Sequence, residues 1–345
     1  MTALPSDASS DFAVNNRENH TDAQRAHEQE SPEQNPGDAQ EAGTHPQIPG
    51  VRERVTALVH AINLSAVIFP FVGLIVAIVL AWGWGFSWLH LGLLVGMYYL
   101  TGFGITVGYH RLFTHRSFET YRPIKLFFAL AGSMAIEGPL LKWVANHRRH
   151  HQHSDEHDDP HSPNMHGGGV IGVLKGLWHA HVGWIFGPDI PNLSRYVGDL
   201  LAERWIRRVS ALFPLWAALS FLIPTALGGL ITMTWTGALL GFIWGGLARV
   251  FLVHHVTWSI NSVCHLWGSR PFRSHDESRN NVVFGLLAMG EGWHNNHHAF
   301  PTSAKHGLRW WEFDGSYLLI RGLELLGLAW KVKVPTAAAM SAKMR

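Results

Sequence analysis

Four apolar stretches constrain what this chain can fold into more than any other feature. They run from about Ala61 to Trp82, Leu89 to Val107, Val209 to Leu227 and Gly237 to Val253. Each approaches the roughly 20 residues that cross about 30 Å of hydrocarbon. Pro70, Pro214 and Pro224 interrupt them, which membrane helices tolerate because neighbours re-satisfy the freed backbone groups. Only 15% of residues are charged, against about 25% in ordinary soluble domains. The 16 tryptophans suit membrane–water interfaces, where the ring is apolar and its N–H is wet. The expected fold class is therefore all-α integral membrane, with four transmembrane helices.

The connections predict topology. Short links around Gly83–Ser87 and Gly228–Trp235 carry no Lys or Arg, whereas Arg52, Arg54, Arg111, Arg116, Arg204, Arg207 and Arg208 flank the other span ends. The positive-inside rule then predicts two helical hairpins, with both termini and the long middle segment in the cytoplasm. This is a multi-pass protein as expected of a bacterial inner membrane, with the lipid bilayer as partner and no nucleic acid. Ile124–Leu141 and Val282–Met289 are read as interfacial or cytoplasmic-cap helices. Arg249 is costly inside a span unless paired, and is expected near the cytoplasmic end.

Residues 1–50 carry nine acidic residues and two arginines. They are too polar to offset ordering entropy, so an acidic disordered tail is expected, with no signal peptide. Residues 51–335 form the membrane domain and 336–345 a C-terminal tail. A single cysteine, Cys264, excludes an intramolecular disulfide.

Three histidine clusters carry the chemistry: His110 and His115; His147, His150 and His151; His294, His297 and His298. The second and third share i, i+3, i+4 spacing, one face of a helix. Their imidazoles can serve one metal or two adjacent ones. The first pair lies about 140° apart on an ideal helix. Either its members serve different metals or the helix is distorted there. An all-imidazole set suits zinc, copper, iron or nickel, and so many ligands exceed one tetrahedral site, which implies two metals. His153, His157, His161 and His166 read partly as a loose metal-binding tract.

These boxes resemble those of the membrane fatty acyl desaturases of the stearoyl-CoA Δ9 type. The likeness extends to Gly108-Tyr109-His110-Arg111-Leu112, Asp159-Pro160-His161, His181-Val182-Gly183-Trp184, Asn261-Ser262-Val263-Cys264-His265 and Gly290-Glu291-Gly292-Trp293-His294, over roughly residues 55–320. The resemblance implies a cytoplasmic helical cap holding two iron ions, with O₂ as co-substrate. Its nine ligands fall on His110, His115, His147, His150, His151, His265, His294, His297 and His298, with Asn261 acting through water. It implies a cis double bond, Δ9, in a saturated acyl thioester such as acyl-CoA. The basic residues that contact CoA phosphates in animal members are replaced by Ala145, Pro188 and Asp189.

Asp155, Asp159 and Glu291 are placed to orient the imidazoles. Tyr98, Tyr99 and Gly102 are candidates for a substrate tunnel between the second and fourth spans. With no haem, dinucleotide or iron–sulfur motif in the sequence, electrons are expected from a separate ferredoxin or cytochrome with its reductase. The competing readings are another membrane di-iron lipid oxidase, a hydroxylase or ketolase, and a histidine-rich metal transporter. A transporter should carry ligands at mid-membrane, not at the span ends.

Overall fold

The computed structural model describes residues 49–187 and 191–345. Residues 1–48 of the expected tail, and Pro188 and Asp189, lie outside the described residues. In chain order the helices are α1 (Pro49–Ala81), α2 (Trp88–Phe103), α3 (Arg122–Ser133), α4 (Leu140–His153), α5 (Gly169–His181), α6 (Leu193–Leu201) and α7 (Arg204–Ala211). They continue as α8 (Phe213–Thr232), α9 (Trp235–Gly241), α10 (Arg249–Ser262), α11 (Val282–Leu287), α12 (His294–Ala299), α13 (Gly315–Leu325) and α14 (Ala337–Lys343). Two-residue strands β1 (Glu119–Thr120) and β2 (Ala329–Trp330) pair antiparallel.

Among the described residues, four helical segments are long and apolar enough to cross a membrane: Ala57–Ala81, Trp88–Thr114, Phe213–Thr232 and Trp235–His265. The second and fourth are longer than their apolar runs. At 1.5 Å per residue they reach roughly 40 and 45 Å, beyond the hydrocarbon core. Both extend through π-helical turns, at Gly104–Thr114 and Phe242–Ala248. Their far ends therefore carry His110 and His265 past the apolar zone. The first span leans on the fourth, through Gly73 on Leu247 and Phe71 on Phe251.

Arg249 meets polar partners, the condition under which a span tolerates a charged side chain. It is wholly buried within the fourth span, at 0% exposure. Its guanidinium donates to Gly245 O at 3.1 Å, Met134 O at 3.2 Å, Ser220 O at 3.1 Å and Ser220 Oγ at 2.6 Å. These bonds tie span three and span four to the turn that follows α3, where Ile136 takes a left-handed φ of 65°. A β-branched residue is strained there, and His254 Nε2 on Ala135 O adds a second tether. The expected C-terminal tail is folded: Arg273 N donates to Lys343 O and Lys343 Nζ to Ala299 O.

Arg249→Leu leaves buried carbonyls without donors, at a cost on the order of 3 kcal/mol. A thermal unfolding series in detergent is expected to show a midpoint several degrees lower, with little loss in Arg321→Leu, whose half-exposed side chain makes only a surface pair with Glu324.

Candidate metal centre

The first box is folded by the π-helical turns. His115 N–H donates to His110 O at 3.1 Å, five residues back, and Thr114 Oγ1 donates to Tyr109 O at 2.8 Å. With i to i+5 bonding, residues five apart lie nearly above one another. Of the two alternatives open in the sequence, helix distortion is the one found, and the ring centroids sit 4.7 Å apart. Arg148 of the second box fixes α4 against this helix end, donating to Phe113 O at 2.8 Å and Thr114 O at 3.3 Å while pairing with Asp199 at 2.7 Å. In the third box the intervening residues do the anchoring. Asn295 Oδ1 accepts from Phe272 N at 2.9 Å, and Asn296 Nδ2 donates to Glu312 and to His306 O, each at 2.8 Å.

These elements bring nine histidines together as two groups. His110, His115, His147, His151 and His297 form one; His150, His265, His294 and His298 form the other, with the ligand atoms of each group within 4.8 Å of one another. Each HxxHH box straddles both groups: its i and i+4 members face one centre in α4 and the other in α12. The Nε2 atoms converge, with His110 to His297 at 3.1 Å, His151 to His147 at 3.1 Å, His297 to His151 at 2.9 Å and His265 to His294 at 3.1 Å. Buried His115, His150 and His298 Nε2 have no hydrogen-bond partner. Ring nitrogens packed at this separation, several of them unpartnered, fit a site built around cations.

The Nδ1 side is equally organised. His110 pairs with Glu291 at 2.6 Å, His150 with Asp159 at 2.9 Å, His265 with Asp155 at 3.0 Å, and His298 with Asp276. A proton held on Nδ1 by a carboxylate leaves Nε2 free as a ligand. Burial opposes ionisation of all four carboxyls. The imidazole charges and hydrogen bonds, with Arg111 at Glu291, outweigh it and hold them below the usual carboxylate range. Asp155 sits at φ 62°, in the left-handed region, and also accepts from Ser162 Oγ at 2.6 Å and Glu277 N at 2.8 Å. Gly290, at φ 111°, has no room for a side chain: a Cβ would lie 2.3 Å from Asp314 Oδ1 and 3.1 Å from Arg111 Nη2.

Asp155, Asp159 and Glu291 thus stand beside the imidazoles of His265, His150 and His110. Asp276 was missed, because it lies in a loop with no spacing signal to the third box. His161, grouped with a loose tract, is instead buried at 4%, whereas His157 is fully exposed. Asn261 lies half-buried on the last turn of α10, one turn before His265, and among the described residues its side chain makes no hydrogen bond. A small cleft adjoins the first group through Glu291, lined also by Tyr98, Gly102 and Thr106 of the second span and Val256 and Ile260 of the fourth. Tyr99 is a correction. It is not among the lining residues; its side chain is 49% exposed on another face of the helix, against Phe103.

Four apolar helices leading to a chamber of imidazoles that could hold metal define the class as a membrane protein. The sequence matches the fatty acid desaturase family over residues 86–317, and the chain belongs to that family, whose members are oxidoreductases acting on fatty acids. It is 46% identical over 278 residues to the hex-5-enoyl-[acyl-carrier protein] acetylenase of Moorena producens, covering 80% of this chain and 87% of that one. It is 38% identical over 252 residues to the sn-1 stearoyl-lipid 9-desaturase of Anabaena variabilis, covering 72% and 86%. Against the acyl-CoA C20 Delta5-desaturase of Anemone leveillei the identity is 38% over 256 residues, covering 73% and 76%.

Burial first, and neighbouring imidazoles second, hold His115, His147, His151, His294 and His297 well below the usual imidazole range. The unfolded chain takes up these protons below about pH 6.5 and the folded chain does not. The thermal midpoint of chelator-stripped protein is therefore expected to fall steadily from about pH 7 to about pH 5; a flat profile would contradict this account. A further loss is expected below about pH 4, as the depressed carboxylates protonate on unfolding.

Proposed function

We propose that this protein is an O₂-dependent di-iron desaturase that removes two hydrogens from neighbouring carbons of a fatty acyl thioester, Δ9 being the position its resemblance implies. The observation that carries the reading is the division of nine imidazoles, seven of them on buried residues and two half-buried, into groups of five and four. His110, His115, His147, His151 and His297 would hold one iron; His150, His265, His294 and His298 would hold the other, with Asn261 through water. When bound, the iron pair supplies an oxidant able to attack an unactivated methylene, which no side chain can do. The overall reaction consumes one O₂, two electrons and two protons. It converts CH₂–CH₂ to CH=CH and releases two waters.

The chain's own residues supply position. The cleft holds the acyl chain, and Glu291 forms both part of its wall and the support of His110. Rigid walls select one carbon pair among chemically equivalent methylenes. Gly102 sets the depth, since a Cβ there would lie 2.2 Å from Met289 Cε. Electrons come from a separate ferredoxin or cytochrome. The cap faces the cytoplasm by the positive-inside argument, with the spans paired as hairpins. A thioester is the chemistry common to CoA and acyl-carrier protein, and it accommodates Ala145 and the other missing basic positions. One observation favours a second reading, removal of hydrogens from an existing alkene: the relative at 46% identity is named an acetylenase.

The test is turnover by purified, iron-loaded protein with a reduced donor and three substrates: acyl-CoA, acyl-[acyl-carrier protein] and phospholipid. Mass spectrometry then locates the new bond. An alkene from a saturated thioester is expected. An alkyne from an alkene alone establishes the second reading. An alcohol or ketone, metal flux without oxidation, or fewer than two irons per chain overturns both. Gly102→Leu is expected to shift the products toward shorter chains while both irons remain bound.

A further inference from the structure

Two buried histidines outside the nine stand in equivalent places. His306, at 1% exposure, has Nδ1 3.3 Å from Glu291 Oε2, the same oxygen that pairs with His110. Its ring lies 4.5 Å from His297 and 5.4 Å from His110. His161, at 4% exposure, has Nδ1 3.6 Å from Asp159 and its ring 4.5 Å from His150, which Asp159 supports. Each group of ligands thus backs onto a carboxylate bracketed by one ligand imidazole and one further imidazole.

Neither further imidazole is placed by chance. The backbone N–H of His306 donates to Asp314 Oδ2 at 2.7 Å, and its carbonyl accepts from Asn296 of the third box. The backbone N–H of His161 donates to Asp159 Oδ1 at 3.0 Å, and its ring packs on Trp184. A third cation beside His306 is excluded by Arg111, whose Nη2 lies 3.1 Å from both His306 Nδ1 and Glu291 Oε1. The two rings pack against the ligand imidazoles His297 and His150, and the Nδ1 of each faces its carboxylate.

We propose that His306 and His161 are positioning residues, one for each metal: His306 confines Glu291 and so aims His110 in the five-histidine site, and His161 confines Asp159 and so aims His150 in the four-histidine site. This rests on the di-iron reading above. Outer partners of this kind typically change metal affinity by about 10–100-fold.

The test uses full-length protein loaded with ⁵⁷Fe. Mössbauer spectra and iron counts are followed during challenge with a chelator. His297→Ala and His294→Ala first assign the signals of the five- and four-histidine sites. His306→Leu is expected to speed iron loss from the five-histidine site about 10–100-fold and spare the other; His161→Leu is expected to do the reverse. His306→Asn, which keeps a polar group at the Nδ1 position, is expected to hold its iron as the unaltered protein does, and covers the case in which the leucine variant fails to fold. Equal loss from both sites in either variant, no accelerated loss in either, or a third bound iron overturns the proposal. Fewer than two irons in the unaltered protein would instead overturn the reading on which it rests.

Discussion

The fold is organised around imidazole nitrogens held about 3 Å apart in the protein interior. Such a packing is unfavourable without a cation or a proton between the nitrogens, and protonation is opposed by burial and by neighbouring imidazoles. The surrounding carboxylates resolve the conflict in one direction. Glu291, Asp155, Asp159 and Asp276 each take the Nδ1 side of a ring, leaving Nε2 to face inward. The inward-facing nitrogens thus form a centre that could hold metal.

Much of the remaining architecture serves that preparation. The π-helical turns at the end of the second span rotate His110 and His115 into one group, and Arg148 locks α4 against them. The fourth span supplies His265 at its far end and, through Arg249, grips the turn between α3 and α4. A buried guanidinium is tolerated there because carbonyls and a hydroxyl meet it, with no carboxylate needed. The same two spans wall the cleft, so the cleft and the imidazole chamber share their rigid elements. Glu291 joins them directly, with one face on the cleft and one on His110.

Sharing also explains the demand on backbone conformation. Asp155 and Gly290 both lie in the left-handed region; one directs a carboxylate to His265, the other lets Asp314 and Arg111 close behind Glu291. These positions border the chamber, where several partners over-determine each side chain. The network behind Glu291, comprising Arg111, Asp314 and His306, is as fully buried as the ligands themselves.

The sequence alone determined the class: apolar length defines four spans, and helical spacing places the histidines of α4 and α12 on single faces. Those are local properties, fixed by rise and period along one segment. What only the tertiary structure decided is how the segments meet. The split of each HxxHH box between two centres, the entry of Asp276, His161 and His306, and the exclusion of Tyr99 from the cleft depend on contacts between residues distant along the chain. The i, i+5 pair was ambiguous because an ideal helical period cannot anticipate a π-helical turn. That turn is stable here because Arg148, from another segment, binds the carbonyls it leaves exposed.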